Sequence, residues 1–136
     1  MPPKKQSNPV VNSPPPPLPN IRTTPKEELF NYYDKVLNND NTKRSQNDIC
    51  TPIKCIQEML QALPASIWSK KGLKILDPCC GHGNFHAVIY WHLIEAGHTH
   101  EEAIESLLFN DLNLDRLTNV EGIYGISLGE RGHQDY

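Results

Sequence analysis

The sequence contains no apolar run of about 18 residues or more, which is the length that a membrane-spanning helix requires. The residues that follow Met1 also lack the apolar core of a signal peptide. Neither a membrane span nor secretion is therefore predicted. The protein is expected to be intracellular, and the sequence does not distinguish the cytosol from the nucleus.

The four cysteines lack the C-x-x-C spacing of a zinc site, because Cys50 and Cys55 are five residues apart and Cys79 and Cys80 are adjacent. The histidines between positions 82 and 100 are scattered along the chain. We therefore predict no metal site. Adjacent cysteines are poor disulfide partners for each other, so Cys79 and Cys80 are expected to be reduced, small and buried packing residues.

Acidic residues are absent from the first 25 positions, which hold nine of the twelve prolines. Such a stretch buries too little apolar surface to offset the entropy of ordering. Residues 1–23 are therefore predicted to be a disordered Pro-rich tail, and residues 24–136 a single domain. The run PPPPLP at 14–19 favours polyproline II and fits an aromatic groove on a partner, while a solvated leader without a partner is the alternative.

Charge divides along nearly the same boundary. The chain through residue 26 has four basic residues and no acidic one, whereas the remainder has nine basic and 16 acidic residues. A net acidic body is not typical of a protein that binds nucleic acid by itself. If this protein acts on DNA or RNA, most of the contacting surface must come from elsewhere.

Two helices are predicted before the middle of the chain. The pairs Thr24-Pro25 and Thr51-Pro52 are typical helix starts, with threonine as the N-cap and proline as the first helical residue. Apolar residues follow on one helical face, and they are Leu29, Phe30, Tyr33, Val36 and Leu37 in the first helix and Ile53, Ile56, Met59, Leu60 and Leu63 in the second. Polar residues 38–47 are predicted to form a loop, and Pro64 ends the second helix.

Strands and helices then alternate. Short buried strands are predicted at residues 73–76 and 107–111, and residues 126–128 are a candidate third strand. Three helices are predicted in this part of the chain. The first spans 85–96, the second begins at a capping box formed by Thr99 and Glu102, and the third spans 114–124. This order is typical of an α/β fold with a parallel sheet.

The stretch ILDPCCGHGNF at 75–85 places an acid and two glycines where a strand passes into a helix. A phosphate-binding P-loop is excluded because Asn84 and Phe85 follow Gly83 in place of lysine and serine or threonine. No third glycine follows at dinucleotide spacing. A nucleoside pocket fits better, because the glycines let a ligand approach the backbone and Asp111, at the end of the next strand, can accept hydrogen bonds from ribose hydroxyls.

Three segments in this order match a known family. Asp77-Pro78-Cys79-Cys80-Gly81-His82-Gly83-Asn84-Phe85 resembles motif I, D-P-x-C-G-x-G-x-F, of the S-adenosylmethionine-dependent DNA methyltransferases that modify the exocyclic amino group of adenine. Asn110-Asp111-Leu112-Asn113 resembles their motif II, and Thr51-Pro52 resembles the Thr-Pro of their motif X. The resemblance covers roughly residues 43–125.

The resemblance implies a Rossmann-like fold that binds S-adenosyl-L-methionine. Asp77 and the backbone of residues 81–83 would hold the methionine end of the cofactor, and Asp111 would bind its ribose hydroxyls. Thr51 and Pro52 would cover the methionine carboxylate. The complete set of implied cofactor-binding residues is Thr51, Pro52, Asp77, Pro78, Gly81, Gly83, Phe85 and Asp111. For Asp111 a helix-capping role is the structural alternative, and for Thr51 the N-cap role is expected in either case.

The family's (Asp/Asn/Ser)-Pro-Pro-(Tyr/Phe) motif, which holds the flipped adenine, is not found in this sequence. The family sheet has seven strands, of which this chain would supply two or three. We therefore expect an incomplete sheet with an unpaired edge on the motif I strand, no catalytic residue, and no methyl transfer by this chain alone. DNA would be contacted through regions absent from this chain, and a complementing methyltransferase chain is a possible partner. The alternatives are part of an RNA or protein methyltransferase, and a non-catalytic interaction module.

Overall fold

The computed structural model describes residues 17–37 and 51–128, except for the side chains of residues 36 and 37. Several predictions therefore fall outside the described residues. They concern the tail before residue 17, the inward side chains of Val36 and Leu37, and the polar loop at 38–47. The helix that begins after Thr51-Pro52, the loop at 78–83 and residues 110–113 all lie within the described part of the chain.

Five α-helices and two strands make up most of the described chain. The helices are α1 (Lys26–Asn31), α2 (Ile53–Leu60), α3 (Asn84–Glu95), α4 (His100–Ser106) and α5 (Leu114–Tyr124), and the strands are β1 (Ile75–Asp77) and β2 (Leu107–Phe109). A π-helical turn at Tyr32–Leu37 continues α1, and a 3-10 turn at Ala65–Ser69 follows α2. The 3-10 turn, which buries Trp68, was not predicted from the sequence.

The two strands are parallel neighbours with α3 and α4 as the connection between them. The register pairs Ile75 with Leu107 and Asp77 with Phe109. The prediction of an α/β arrangement with parallel strands is confirmed at this level. Among the described residues β1 pairs with β2 alone. Leu76, the middle residue of β1, is 58% exposed.

The predicted third strand at residues 126–128 does not form. Gly125 ends α5 with a φ of 68°, and the Ile126 N–H donates to the Glu121 carbonyl at 3.2 Å. The Leu128 N–H donates to Glu121 Oε2 at 3.0 Å, and the Leu128 side chain is buried. A left-handed glycine just after a helix reverses the chain direction, so this segment folds back on the end of α5 and does not extend beside the strands.

Helix α3 is the centre of the core. It contacts α1, α2, α4 and the 3-10 turn, which accounts for a sequence that is apolar almost all round. Its buried side chains include Ala87, Val88, Ile89, Tyr90 and Leu93. The side of the strand pair that carries Leu107 and Phe109 is buried in this core. The carboxyl ends of both strands lie beside the amino end of α3, since the short loop at 78–83 joins β1 to that helix.

The helix starts correct one prediction and confirm another. Pro25 and Pro52, and not the preceding threonines, occupy the N-cap positions of α1 and α2, and neither position has a side-chain cap. The first N–H of α2, that of Ile53, is instead bound by Asp34 Oδ1 at 3.0 Å. The capping box of Thr99 and Glu102 at α4 is confirmed, with reciprocal hydrogen bonds of 3.1 and 2.9 Å.

The packed part of the chain begins before residue 24. Ile21, which the composition assigns to the tail, is 1% exposed, and its N–H donates to the Ile123 carbonyl at 2.9 Å. Leu18 Cδ1 lies 2.7 Å from the position that a Cβ on Gly122 would occupy. Residues 18 and 21 therefore pack along α5, because an apolar side chain and a backbone N–H find partners there that local composition does not reveal.

Candidate functional site

The loop after β1 is tied to the end of β2 by its backbone. The Asn110 N–H donates to the Asp77 carbonyl at 3.1 Å, and the Cys80 N–H donates to the Asn110 carbonyl at 2.9 Å. Asp77 Oδ1 accepts from the Cys79 N–H at 3.2 Å, which closes a tight turn around the exposed Pro78. The parallel pairing of the strands is thus continued by the loops that follow them.

Asp111 joins the two predicted motifs directly. One carboxylate oxygen, Oδ2, accepts from the Gly81 N–H at 2.8 Å, and the other, Oδ1, accepts from the Asn113 N–H at 2.8 Å. The side chain is half-buried, and each carboxylate oxygen keeps further acceptor capacity. The helix-capping alternative for Asp111 is not what the structure shows, because Asn113 caps α5 by accepting from Asp115 and Arg116 N–H at 3.0 and 3.2 Å.

The two loop glycines have different surroundings. Gly81 has a φ of +56°, and nothing lies within 4 Å of the position that its Cβ would occupy. Gly83 has a φ of +90°, but a Cβ there would stand 2.9 Å from Tyr124 Cε1. Both positions need glycine for their backbone conformation. Only at Gly81 does the missing side chain leave space that a ligand can enter, since Tyr124 fills the corresponding space at Gly83.

The Thr51-Pro52 pair lies against the amino end of α3. Asn84 Nδ2, on the first residue of α3, donates to the Thr51 carbonyl at 3.1 Å. Thr51 is half-buried and Pro52 is exposed. The residues of the predicted motif X are thus brought to the same end of the molecule as the glycine loop. Phe85 is half-buried and packs against the hydrophobic core.

Electrostatics keep the loop cysteine inert. Burial, with the negative charges of Asp77 and Asp111, raises the pKa of the Cys80 thiol to about 12. A thiol with such a pKa is neither a nucleophile nor a ready metal ligand at neutral pH. The expected burial is confirmed for Cys80 but is wrong for Cys79, which is exposed. Because adjacent residues in a turn point to different sides, only one of the two cysteines reaches the core.

Metal ligation and membrane insertion find no support in the described residues. Within the described ranges, 17–37 and 51–128, no group of three or more His, Cys, Asp or Glu side chains is arranged to hold a metal ion. His86 is buried, and burial lowers its pKa, so it packs as a neutral ring with Nε2 2.8 Å from the Leu108 carbonyl. None of the helices formed by these residues has the length and apolarity to cross a membrane.

Sequence reasoning missed two tyrosine hydroxyls beneath the loop. The Tyr33 hydroxyl donates to the His82 carbonyl at 2.8 Å, and the Tyr124 hydroxyl donates to the Gly83 carbonyl at 2.7 Å. Both residues lie on predicted apolar faces, which accounts for their burial but not for their hydrogen bonds. The signal that could have found them is chemical, since a buried tyrosine hydroxyl needs a hydrogen-bond partner.

An open depression lies beside the carboxylate of Asp111. Its volume is about 420 Å³, and its lining consists of Asp111, Leu112, Asn113, Leu114 and Asp115. Leu112 is 87% exposed and Leu114 is also exposed, so the depression combines apolar surface with carboxylate oxygens. A second cavity of about 260 Å³ lies among α1, α2 and α3, where the ion pair of Lys26 and Glu95 at 2.7 Å lines it, and the loop residues do not contribute to it.

Comparison of the chain with protein-family models, with curated proteins and with solved structures found no match. The site must therefore be interpreted from its own chemistry. It offers a half-buried carboxylate, a glycine loop with open space above Gly81 and an apolar surface at Leu112, all at the carboxyl ends of two parallel strands. Crevices in this position of parallel α/β sheets are where nucleotide-like ligands bind.

Proposed function

We propose that this chain is the cofactor-binding portion of an S-adenosylmethionine-dependent DNA methyltransferase that modifies the exocyclic amino nitrogen of adenine. The observation that carries the proposal is the hydrogen bond of 2.8 Å between the Gly81 N–H and Asp111 Oδ2. It joins the segment that resembles motif I to the segment that resembles motif II. These residues are 30 positions apart in the sequence, so their meeting is a property of the fold.

The third segment supports the same reading. Thr51 meets Asn84 at the amino end of α3, directly after the glycine loop. The three segments that resemble motifs X, I and II are thus joined in one chain of contacts, from Thr51 through Asn84 and the loop to Asp111. Parallel pairing of β1 and β2 already brings the segments after them together, so the added support for the proposal is that Thr51 also reaches this end of the molecule.

The residues present fit a nucleoside that is joined to an amino acid. The Asp111 carboxylate keeps acceptor capacity for two vicinal hydroxyl groups, because each oxygen already accepts only one N–H. The exposed side chain of Leu112 gives a flat base an apolar surface in the open depression beside Asp111. The open space above Gly81 admits the part of the ligand that must approach the backbone.

When bound, the cofactor would supply an electrophilic methyl group, and the residues of this chain would bind and orient it. Asp111 would hold the ribose, the loop backbone at residues 81–83 with Asp77 would hold the methionine end, and Thr51 with Pro52 would cover its carboxylate. Attack by the adenine amino nitrogen needs positioning groups on the far side of the methyl group. We propose that these groups, and the DNA-contacting surface, belong to regions outside this chain.

The proposal is tested by calorimetric titration of the full chain with S-adenosylhomocysteine. We expect saturable binding by the wild-type chain and binding about ten- to hundredfold weaker in Asp111→Asn, because the amide keeps an acceptor oxygen but replaces the second with a donor. The control is Glu58→Gln, which makes the same change of charge at an exposed position of α2.

Two results would contradict the proposal. One is a well-folded wild-type chain, by circular dichroism, that releases no heat on titration. The other is equal affinity in wild type, Asp111→Asn and Glu58→Gln, which would place any binding away from the motif II carboxylate. A radiolabel assay that found methylated adenine with this chain alone would refute the separate claim that the acceptor-side groups lie elsewhere.

A further inference from the structure

Two buried tyrosines hold consecutive carbonyl groups of the glycine loop. Tyr33 comes from the π-helical turn after α1, and Tyr124 is the last residue of α5. Their hydroxyls donate to the carbonyls of His82 and Gly83, across sequence separations of 49 and 41 residues. The two tyrosine side chains also interact with each other. Two elements that are far apart in the sequence, the turn after α1 and the end of α5, therefore both contact one short loop.

Tyr124 and Gly83 are matched in shape. A Cβ at position 83 would stand 2.9 Å from Tyr124 Cε1, closer than real Cβ atoms approach a neighbour, and 3.1 Å from the Tyr124 hydroxyl oxygen, which is tighter than most real Cβ contacts. Burial is the main cause that raises the pKa of Tyr124 well above its usual value, with the neighbouring Tyr33 as the next cause. The hydroxyl therefore keeps its proton at neutral pH and remains a hydrogen-bond donor to the loop.

The orientation of these carbonyls determines which way the loop presents its N–H groups. In a trans peptide the C=O and the following N–H point in opposite directions, so fixing the Gly83 carbonyl toward Tyr124 turns the Asn84 N–H away from it. On the other side of the loop, the Gly81 N–H is bound by Asp111, and the Gly83 N–H is bound by the Cys80 carbonyl at 2.8 Å. The tyrosine hydroxyls thus fix two carbonyl groups of the loop, and the Asp111 carboxylate fixes the Gly81 N–H.

We infer that Tyr33 and Tyr124 are positioning residues that preorganise the glycine loop for its ligand. Neither hydroxyl is needed to contact the ligand, because each is already bonded to a loop carbonyl in the interior. Removal of a hydroxyl leaves a buried carbonyl without that partner, and the peptide gains by rotating toward water. The affinity of the site would then fall because the loop must be reordered on binding. This inference rests on the proposed function for the identity of the ligand alone.

The test compares Tyr33→Phe and Tyr124→Phe with a matched control, Tyr90→Phe, in the full chain. Tyr90 is also buried, and its hydroxyl lies 2.8 Å from His100 Nδ1, so the control loses an equivalent hydrogen bond away from the loop. Two quantities are measured for each variant. They are the Kd for S-adenosylhomocysteine by calorimetry and the exchange rates of the Gly81 and Gly83 amide protons by NMR.

We expect Tyr124→Phe to bind about tenfold more weakly than wild type and to exchange both glycine amides about tenfold faster. Tyr33→Phe should shift both quantities in the same direction. Tyr90→Phe should lower the melting temperature by a similar amount while it leaves the Kd and the glycine exchange rates at wild-type values. A purely structural role for the loop tyrosines would make all three variants alike.

The outcomes separate this inference from the proposed function. Faster glycine exchange in the loop variants, with no binding of S-adenosylhomocysteine by the wild type, would refute the proposed identity of the ligand. It would leave the role of the tyrosines in ordering the loop intact. Wild-type binding that is unchanged in Tyr33→Phe and Tyr124→Phe would overturn the positioning role and leave the proposed function standing. Unchanged glycine exchange in both loop variants would also overturn the positioning role.

Discussion

The loops that follow β1 and β2 lie side by side but are built in opposite ways. In the first loop, the backbone at residues 80–83 is bonded to Asn110, Asp111, Tyr33 and Tyr124, and its side chains at His82 and Cys80 are buried. In the second loop, Leu112 is 87% exposed and faces an open depression. The first loop has a shape that the rest of the fold determines, whereas the second presents free surface.

This difference teaches how a site can be divided between rigid and accessible parts. A loop with few partners would lose much entropy on binding a ligand, which costs affinity. Here the backbone of the glycine loop is already bonded to the surrounding fold, and the neighbouring loop exposes the apolar side chain of Leu112. Asp111 belongs to both parts, because it bonds to Gly81 in the first loop and to Asn113 in the second.

The largest effect that would break the comparison is expected from Gly83→Ala, with Gly81→Ala as its matched control. The Gly83 substitution combines a left-handed backbone with a Cβ that collides with Tyr124, so we expect a loss of about 2–5 kcal/mol in the free energy of unfolding. At Gly81 only the backbone conformation is strained, and the loss should be about 1–2 kcal/mol.

Urea denaturation monitored by circular dichroism measures both glycine variants. Equal losses would mean that Tyr124 does not shape the first loop. In the less destabilised Gly81→Ala variant, the new methyl group enters the open space above the loop. The affinity of the Gly81→Ala variant for S-adenosylhomocysteine should therefore fall, although the variant remains folded.

A second effect sharpens the comparison between buried and accessible atoms within the first loop itself. At pH 8, a pKa of about 12 leaves about one Cys80 thiol in 10⁴ ionised, because a raised pKa keeps the group protonated below it. Iodoacetamide at pH 8 should modify the exposed Cys79 and spare Cys80 in the native chain. Tandem mass spectrometry distinguishes the adjacent sites, and urea-unfolded protein, in which both cysteines react, is the control. Equal labelling in the native state would mean that Cys80 is not held in the core.

The smallest effect on stability is expected in the second loop. Leu112→Ser should change the free energy of unfolding by less than about 0.5 kcal/mol, since the side chain is almost fully exposed. It should nevertheless weaken binding of S-adenosylhomocysteine by about two- to fivefold, because apolar surface beside Asp111 is lost. Leu63→Ser, at an exposed leucine just after α2, is the matched control for binding. Equal affinity in all three proteins would show that the exposed loop takes no part in the site.

Most of the helices and both strands were predictable because their signals are local. The capping box at Thr99 specifies the start of α4 by a reciprocal hydrogen bond within four residues, and the glycine at 97 follows α3 with a left-handed φ of 104°. Residues 126–128 have the composition of a strand, but Gly125 and Glu121 turn them back on α5. A strand prediction fails there because pairing depends on a neighbour that composition cannot supply.

The candidate site was predictable in its residue types but not in its supports. An acid and two glycines between a strand and a helix indicate a ligand loop by themselves, and an acid at the end of the next strand indicates its partner. The hydroxyls of Tyr33 and Tyr124, the Asp34 carboxylate on the first N–H of α2 and the burial of Ile21 were not predictable. These contacts join residues that are between 19 and 102 positions apart, and no local pattern encodes such pairs.

By itself, the sequence determined most of the helices and the two parallel strands to within a few residues, and it determined which acid and glycines form the loop, but it predicted neither the 3-10 turn nor the fold-back of residues 126–128. The features that it determined follow from periodicity, capping and the few conformations that each residue type permits. Only the tertiary structure decided that Gly81 faces open space while Gly83 faces Tyr124, and that Asp111 bonds to the loop and does not cap α5. The physical reason is that hydrogen bonds and close packing act between elements that only folding brings together.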